Sequence, residues 1–252
     1  MKAFISVVSH GHGKLISNID TLSTLSEHFT VVVKNNVHDQ EIERYVKDSK
    51  IVFINDEDLY SKGFGENNNI VFNFCQEYLG LGENDYFLVL NPDVVIDVDS
   101  ITNLLETMAS DKLDLGAINL YVDKSMTKFD PSVRRFPSFL TFVRSIIGLG
   151  NDSILDKSLL PPISTVDWAA GSFLCFRAGH YEKLRGFDTK YFMYCEDIDI
   201  CYRSFKLSSP VTFFRDIKAV HFAQSSNRKV FSRHFYWHLK GSFRFLFKAR
   251  FY

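Results

Sequence analysis

The sequence predicts an α/β fold, a mostly parallel sheet flanked by helices with an amphipathic helix at the C-terminus. Three observations carry this. Short apolar, β-branched runs recur, each ending in polar residues, which is the pattern of buried parallel strands feeding loops. The segments between them carry helical periodicity, and strands alternating with helices build a parallel sheet. Residues 223–252 combine aromatic residues at helical spacing with basic residues and no acid.

The first run, "AFISVVSHG" (residues 3–11), is apolar and ends in Ser9, His10 and glycine; a helix is predicted from about Lys14 to Glu27. "FTVVVKNN" (29–36) and "KIVFIND" (50–56) repeat the strand-then-polar pattern. A helix over 67–79 places Ile70, Val71, Phe74, Cys75 and Tyr78 on one face, and "DYFLVLNPDVVI" (85–96) returns to strand. Ligands sit at the carboxyl ends of parallel strands. That rule singles out Ser9 and His10, Lys34 to Asn36, Asn55 and Asp56, and Asn91 to Asp93. The second half is less regular, with "RRFPSF", "FLTFVRSIIGLG", "PPISTVDWAAGSFLCFRA" and then "YFMYCEDIDICYR". These imply one compact domain over 1–222, in two halves (1–95 and 96–222), with a lid-like insertion near 128–165. A basic aromatic tail follows over 223–252.

Composition bounds the chemistry. With 252 residues and 46% hydrophobic content the chain can bury a full core, and 25 Phe residues fit either such a core or a surface that meets sugars or lipid. Cys75, Cys175, Cys195 and Cys201 have no zinc-site spacing and are expected as reduced core thiols. No window is long and apolar enough to span a bilayer, and no signal peptide is evident, so a cytoplasmic protein is expected. Net charge is −1, but residues 1–216 hold 21 basic and 30 acidic residues while the remainder holds eight basic and none acidic. The tail is therefore expected to meet an anionic membrane surface, peripherally on the inner face of the cytoplasmic membrane, rather than nucleic acid. Phe231, Phe235, Leu239, Phe243, Leu246 and Phe247 fall at helical spacing, flanked by Arg233, Lys240, Arg244, Lys248 and Arg250.

Two short stretches suggest chemistry. In "LVLNPD" a carboxylate directly after a buried strand, Asp93, is placed to hold a divalent cation against a diphosphate, and hard oxygen ligands suit Mg2+ or Mn2+. In "YFMYCEDIDICYR" three acids, Glu196, Asp197 and Asp199, crowd among residues that would bury them.

With "SVVSHG", "GFGENNN", "LNPD", "AAGSFLCFRA", "RGFD" and "FMYCEDIDICYR" in order, nearly the whole chain resembles the inverting family 2 glycosyltransferases of the GT-A fold. More narrowly, "SHGHG", "GFGENNN", "VRRFPS", "VDWAAGSF", "YFMYCEDIDIC" and "WHLKGSFRF" are similar to bacterial O-antigen rhamnosyltransferases that use dTDP-L-rhamnose. The resemblance implies that Asp197 is the catalytic base, with Glu196 orienting base or acceptor, and that Asp93 and His221 ligate Mg2+ or Mn2+. Asn91 takes the first place of the DxD-type motif, a departure that removes one charge. Donor contacts are implied at Ser9, His10, Asn35, Asn36, Gly63, Gly65, Asn67, Asn68, Asn91, Arg134 and Arg135, with a helix N-terminus at Asn67 or Asn68. Lys34 stands at one alignment of the family's base-binding Asp. Trp168 and Gly171 would line the sugar and acceptor pocket, the indole stacking on rhamnose. Asp199 would be structural, paired with Arg203. The implied reaction moves L-rhamnose to a lipid-linked saccharide. Alternatives are another donor, such as UDP-galactofuranose or UDP-GlcNAc, or a sugar-nucleotide or glycan binding module without turnover.

Overall fold

Strand β1 (Ala3–Ser9) lies at the centre of the amino-terminal half, and its residues are buried because both faces of the sheet are covered. A computed structural model describes residues 1–138, 152–222 and 233–250. After β1 come α1 (Gly13–Ile19) and α2 (Thr21–Ser26), where one helix was predicted over 14–27. Asp20 takes a left-handed conformation, φ 53°, and its carboxylate accepts from the Tyr45 hydroxyl at 2.9 Å, so the helix breaks there. Strand β2 (Thr30–Asn35), helix α3 (Gln40–Val46), strand β3 (Val52–Ile54), helix α4 (Phe64–Tyr78) and strand β4 (Tyr86–Leu90) complete this half. The strands pair in parallel in the order β3-β2-β1-β4.

Then follow β5 (Val94–Val95), α5 (Val98–Ser110), β6 (Leu115–Tyr121), β7 (Val133–Arg134), β8 (Ile163–Val166), β9 (Trp168–Ala169), β10 (Phe173–Arg177), α6 (Ala178–Lys183), α7 (Glu196–Lys206), β11 (Val211–His221) and α8 (Arg233–Arg250). Strand β10 inserts antiparallel between β4 and β6, and β11 runs parallel to β6 and antiparallel to β5 and β8. The nine-stranded sheet is thus continuous across residue 95 and mixed in direction, while β7 and β9 form a separate two-stranded ribbon. Of the predicted lid-like insertion, residues 139–151 lie outside the described residues.

Alternation along the strands divides the core into two layers. Phe4 and Val32 face one side of the sheet with Phe72, Phe87, Phe176, Tyr181 and Phe187, while Ile5, Val31 and Val33 face the other with Ile101, Leu104 and Ile118. The first layer accounts for much of the phenylalanine: Phe72, Phe87, Phe176, Tyr181 and Phe187 meet edge-on or tilted at centroid distances of 4.5–6.3 Å. All four cysteines are buried and unpaired. Among the described residues no helix is long and apolar enough to cross a membrane.

The C-terminal helix departs from its expected form. Phe245 is buried in the first layer with Leu246 and Ala249 against it, whereas Tyr236, Phe243 and Phe247 are exposed. The predicted single apolar stripe is therefore divided between the core and the outer face, and its first residue, Phe231, lies outside the described residues. Arg244 and Lys248, expected on the flanks, instead make ion pairs with Asp188 and Asp199.

Candidate active site

The acidic cluster opens α7. Cys195 takes a left-handed conformation, φ 76°, which turns the chain into the helix, and Glu196, Asp197 and Asp199 occupy its first turn. Carboxylates there are favoured by the helix dipole. Their surroundings then separate them. Asp199 is 0% exposed and fully paired, to Arg203 Nε at 2.7 Å and Lys248 Nζ at 2.6 Å. Glu196 is 5% exposed, and its Oε2 has no hydrogen-bond partner. Burial, reinforced by the charge of Asp197, pushes its carboxyl well above the usual range, so Glu196 holds its proton. Asp197 is partly exposed and accepts from the Gly171 amide at 3.2 Å and the Ile198 amide at 2.8 Å. Burial raises this carboxyl too, but the two amides and the charge of Arg134 oppose the rise, so Asp197 ionises first. The two neighbouring carboxyls thus differ: Glu196 is buried and raised the more strongly, and Asp197 is partly exposed and held by two amides.

A second cluster follows from strand register. Strands β5 and β11 pair Val94 with His221, which brings the preceding residue, Asp93, to the imidazole. His221 Nε2 stands 3.3 Å from Asp93 Oδ1, and Nδ1 stands 2.9 Å from Asp130 Oδ2. Burial works against the imidazolium, but the two carboxylates outweigh it and raise His221 to about 9. For Asp93 burial again opposes the charge, and His221 more than compensates, holding the carboxyl below its usual range. Among the described residues no group of three or more His, Cys, Asp or Glu side chains is arranged to hold a metal. Asp93 Oδ1 is nonetheless buried, and among the described residues it has only the His221 imidazole nitrogen beside it, at 3.3 Å. One carboxylate and one imidazole, completed by water and substrate phosphates, is a donor set that suits Mg2+ or Mn2+. The residues present therefore fit the ion.

Asp130 was not expected from the sequence. A carboxylate hydrogen-bonded to the far nitrogen of a ligating histidine fixes its ring and tautomer. Behind it Lys157, also buried, donates to Leu120 O at 3.1 Å and to Ser132 Oγ at 2.9 Å; burial lowers its ammonium to about 8, against the pull of Asp130. The sequence held one signal, Asp130 before Pro131 in the predicted insertion, but nothing tied it to a residue 91 positions later.

Of the expected donor residues, Ser9, His10, Asn35 and Asn36 lie at the carboxyl ends of β1 and β2, and Asn91 lies at that of β4. Asn36 Nδ2 is 3.2 Å from His10 Nδ1, and Ser9 Oγ accepts from the His12 amide at 3.2 Å. His12 in turn lies near enough to Asp93 to feel its charge. Asn35 Nδ2 donates to Asn55 Oδ1 at 3.0 Å, and its buried Oδ1 has no partner among the described residues. Lys34 is fully buried, with Nζ on Leu59 O at 2.8 Å and Asn35 O at 3.0 Å, and burial lowers it to about 8. Asn91 is partly exposed, and its amide donates to Ser172 O at 3.0 Å.

Several expectations are corrected by these positions. Helix α4 begins at Phe64, not at Asn67 or Asn68, because Gly63 caps it. Both asparagines are buried within the helix: Asn67 donates to Gly63 O at 2.9 Å, while Asn68 donates to Phe64 O at 3.0 Å and accepts from Ser6 Oγ at 2.7 Å. Gly63 and Gly65 make their close approach to protein, since a Cβ would strike the Phe192 carbonyl at one and the Phe187 side chain at the other. Trp168 is no open platform. It is 7% exposed, its Nε1 donates to Arg135 O at 2.9 Å, and the Arg134 guanidinium lies 5.3 Å from its ring centre. Gly171 meets Asp197 rather than an open pocket. Arg134 lies near Asp197, and Arg135 is exposed.

No family model matches the chain. Over 248 residues it is 32% identical to the rhamnosyltransferase WbbL of Escherichia coli K12, a match that covers 98% of this chain and 93% of that protein. It is 28% identical over 170 residues to the N-acetylglucosaminyl-diphospho-decaprenol L-rhamnosyltransferase of Mycobacterium tuberculosis, covering 65% of this chain and 55% of the relative. Solved structures with the same fold include GalNAc-T7 with UDP, GalNAc and Mn2+, at a TM-score of 0.62 and 11% identity over 88% of this chain and 44% of that one. TarS 1–349 of S. aureus with UDP-GlcNAc gives 0.55 and 14% over 90% and 62%. With so extended a match to a rhamnosyltransferase and a fold shared with GT-A enzymes, the chain belongs to the family 2 rhamnosyltransferases, glycosyltransferases of the GT-A fold.

Proposed function

We propose that this enzyme transfers L-rhamnose from dTDP-L-rhamnose, with inversion at the anomeric carbon, to a hydroxyl of a lipid-linked saccharide. The acceptor is GlcNAc-diphospho-polyprenol, in the synthesis of O-antigen or a related cell-surface polysaccharide. The sugar and the acceptor are supported by the names of the two relatives. The observation that carries the chemistry is Asp197, a partly exposed carboxylate held by two backbone amides beside a protonated Glu196. In this reading Asp197 takes the acceptor hydroxyl proton as the oxygen bonds to the anomeric carbon and the nucleoside diphosphate leaves. A base whose pKa is raised towards the working pH is suited to that transfer. Glu196, directly beside Asp197, would orient the base or the acceptor.

Asp93 and His221 would hold Mg2+ or Mn2+, which when bound neutralises charge on the leaving diphosphate. Asp130 keeps the imidazole turned towards that ion. Asn35, with an unpaired buried carbonyl oxygen, faces the need of a pyrimidine N3–H, and Ser9, His10 and Asn36 surround the nucleotide. The outer face of α8, with Tyr236, Lys240, Phe243 and Phe247, would meet an anionic membrane surface on the inner leaflet, where the acceptor lipid resides. The deciding experiment incubates the enzyme with dTDP-L-rhamnose, UDP-galactofuranose and UDP-GlcNAc and a synthetic lipid-diphosphate GlcNAc. Mass and NMR of the product are expected to show one rhamnose of inverted anomeric configuration from the first donor only. Transfer from either UDP sugar at a comparable rate overturns the donor, and a retained configuration overturns the mechanism.

A further inference from the structure

We propose that helix α8 positions the catalytic loop, with Gly241 and Lys248 setting where Asp197 stands. This rests on Asp197 being the base. The loop over residues 188–195 delivers the chain to α7, and α8 lies along it from end to end. Trp237 meets Phe192 at a centroid distance of 4.7 Å, Gly241 abuts the Tyr194 carbonyl, and Ser242 Oγ is 3.5 Å from Cys195 Sγ. Arg244 Nη2 lies 3.3 Å from Asp188 Oδ2 and its guanidinium 5.3 Å from the Tyr191 ring centre. Lys248 then reaches past the loop to Asp199 at 2.6 Å and Asp188 at 3.6 Å. Asp197 thus stands between two residues tied to the same helix, Cys195 two positions before it and Asp199 two after. Its own carboxylate accepts from the Gly171 and Ile198 amides, and α7 also packs against β9.

The chemistry of these contacts is more than packing. Asp199 is fully buried and takes two cations, and the one from Arg203 comes from its own helix, so Lys248 is the cation that ties α7 to α8. Gly241 allows helix and loop backbones to touch, because any Cβ there would collide with the Tyr194 oxygen. A displacement of about 1 Å in a catalytic group can lower turnover by as much as a hundredfold.

The test uses the full chain and a water-soluble acceptor analogue, so that membrane binding plays no part. Gly241→Ala removes no interaction and favours the helix by propensity. It is expected to lower kcat about tenfold or more by displacing the loop at Tyr194, with the dissociation constant for the nucleotide sugar unchanged and the chain still folded by circular dichroism. Lys248→Met is expected to lower kcat likewise, and Lys248→Arg to restore most of it. Lys47→Ala, exposed after α3 in the amino-terminal half, is expected to leave kcat unchanged. Wild-type kcat in both Gly241→Ala and Lys248→Met overturns the proposal. So does a loss that only tracks the loss of folded protein by circular dichroism. Asp197→Asn is measured alongside: if it keeps turnover the base assignment falls, whereas an inactive Asp197→Asn beside a fully active Gly241→Ala removes only the role of the helix.

Discussion

Residues 3–90 and residues 188–250 are held in place by different physics. In the first region each strand carries its own apolar run, the pairings are parallel, and the polar ends of β1, β2 and β3 meet because the sheet order brings them together. In the second, apolar packing is supplemented by partly buried charges grouped around the fully buried Asp199. Asp188, Asp199, Arg203, Arg244 and Lys248 join a loop, α7 and α8 through ion pairs whose partners lie up to 60 residues apart. Such pairs add little net stability over apolar contacts, but losing one partner leaves a charge stranded. The first region therefore tolerates conservative apolar change, and the second should be sensitive to single charges. The residues proposed to bind the donor lie mostly on the tolerant frame, and the proposed base lies on the sensitive one.

The largest expected effect tests the sensitive region at its centre. Asp197→Asn should keep nucleotide-sugar binding and lose roughly 10²- to 10⁴-fold in kcat, the contribution typical of a positioned base. In the wild type the active form is the carboxylate, and burial raises its pKa. Turnover should therefore fall as pH drops through that raised value, at a higher pH than an exposed aspartate would set, and calorimetric donor binding should not follow the same curve. A kcat flat across the acid range, or a variant within a few-fold of wild type, separates Asp197 from the proton transfer.

Next in size is the junction of the two regions, where Asp93 from the first half meets His221 from the last strand. Chelator should stop turnover, and Asp93→Ala or His221→Ala should raise the Mn2+ concentration needed for half-activity by more than tenfold. Full rates in excess chelator would dismiss the ion. Asp130→Asn removes the charge but keeps the shape behind His221, and a change at this distance typically weakens metal affinity 10- to 100-fold. Titrating Mn2+ by its electron paramagnetic signal reads this without turnover. An affinity equal to wild type would mean that Asp130 only helps pack the strand.

The same contrast explains what could be read in the chain. The strands were legible because a short continuous apolar run is a local property, as at Val31, Val32 and Val33. Helices α3 and α5 were not singled out, although each has an acid cap, Asp39 accepting from Glu41 N and Asp97 from Ser100 N. Glu196 and Asp197 were visible because crowded acids among apolar residues are unusual. Asp130 was not, since its meaning comes from a pairing of distant strands. Trp168 was misjudged for a related reason: its partner Arg135 lies 33 residues earlier, and a strand pairing settles that the indole is covered. The antiparallel entry of β10 between β4 and β6 also left no local trace, because its apolar residues would fit either direction.

The smallest expected effect concerns the outer face of α8. Two of the basic residues predicted to meet lipid, Arg244 and Lys248, are held by Asp188 and Asp199, so among the described residues Arg233 and Lys240 remain exposed, next to Phe243 at 55% and Phe247 at 70% exposure. Each basic residue near an anionic surface adds about 1 kcal/mol and loses strength with salt. Binding to vesicles containing anionic lipid should therefore be weak and reversible, fall in high salt, and drop roughly fivefold for Lys240→Ala, by that same increment. Phe247→Ser should lower it without changing the salt dependence, because it removes apolar area and no charge. Point substitutions are required here, since removing the helix would also take Phe245 out of the core and Lys248 away from Asp199. Sedimentation with neutral and anionic vesicles measures all of this. Equal binding to both vesicle types, or binding unchanged in both variants, would leave α8 with its inward role alone.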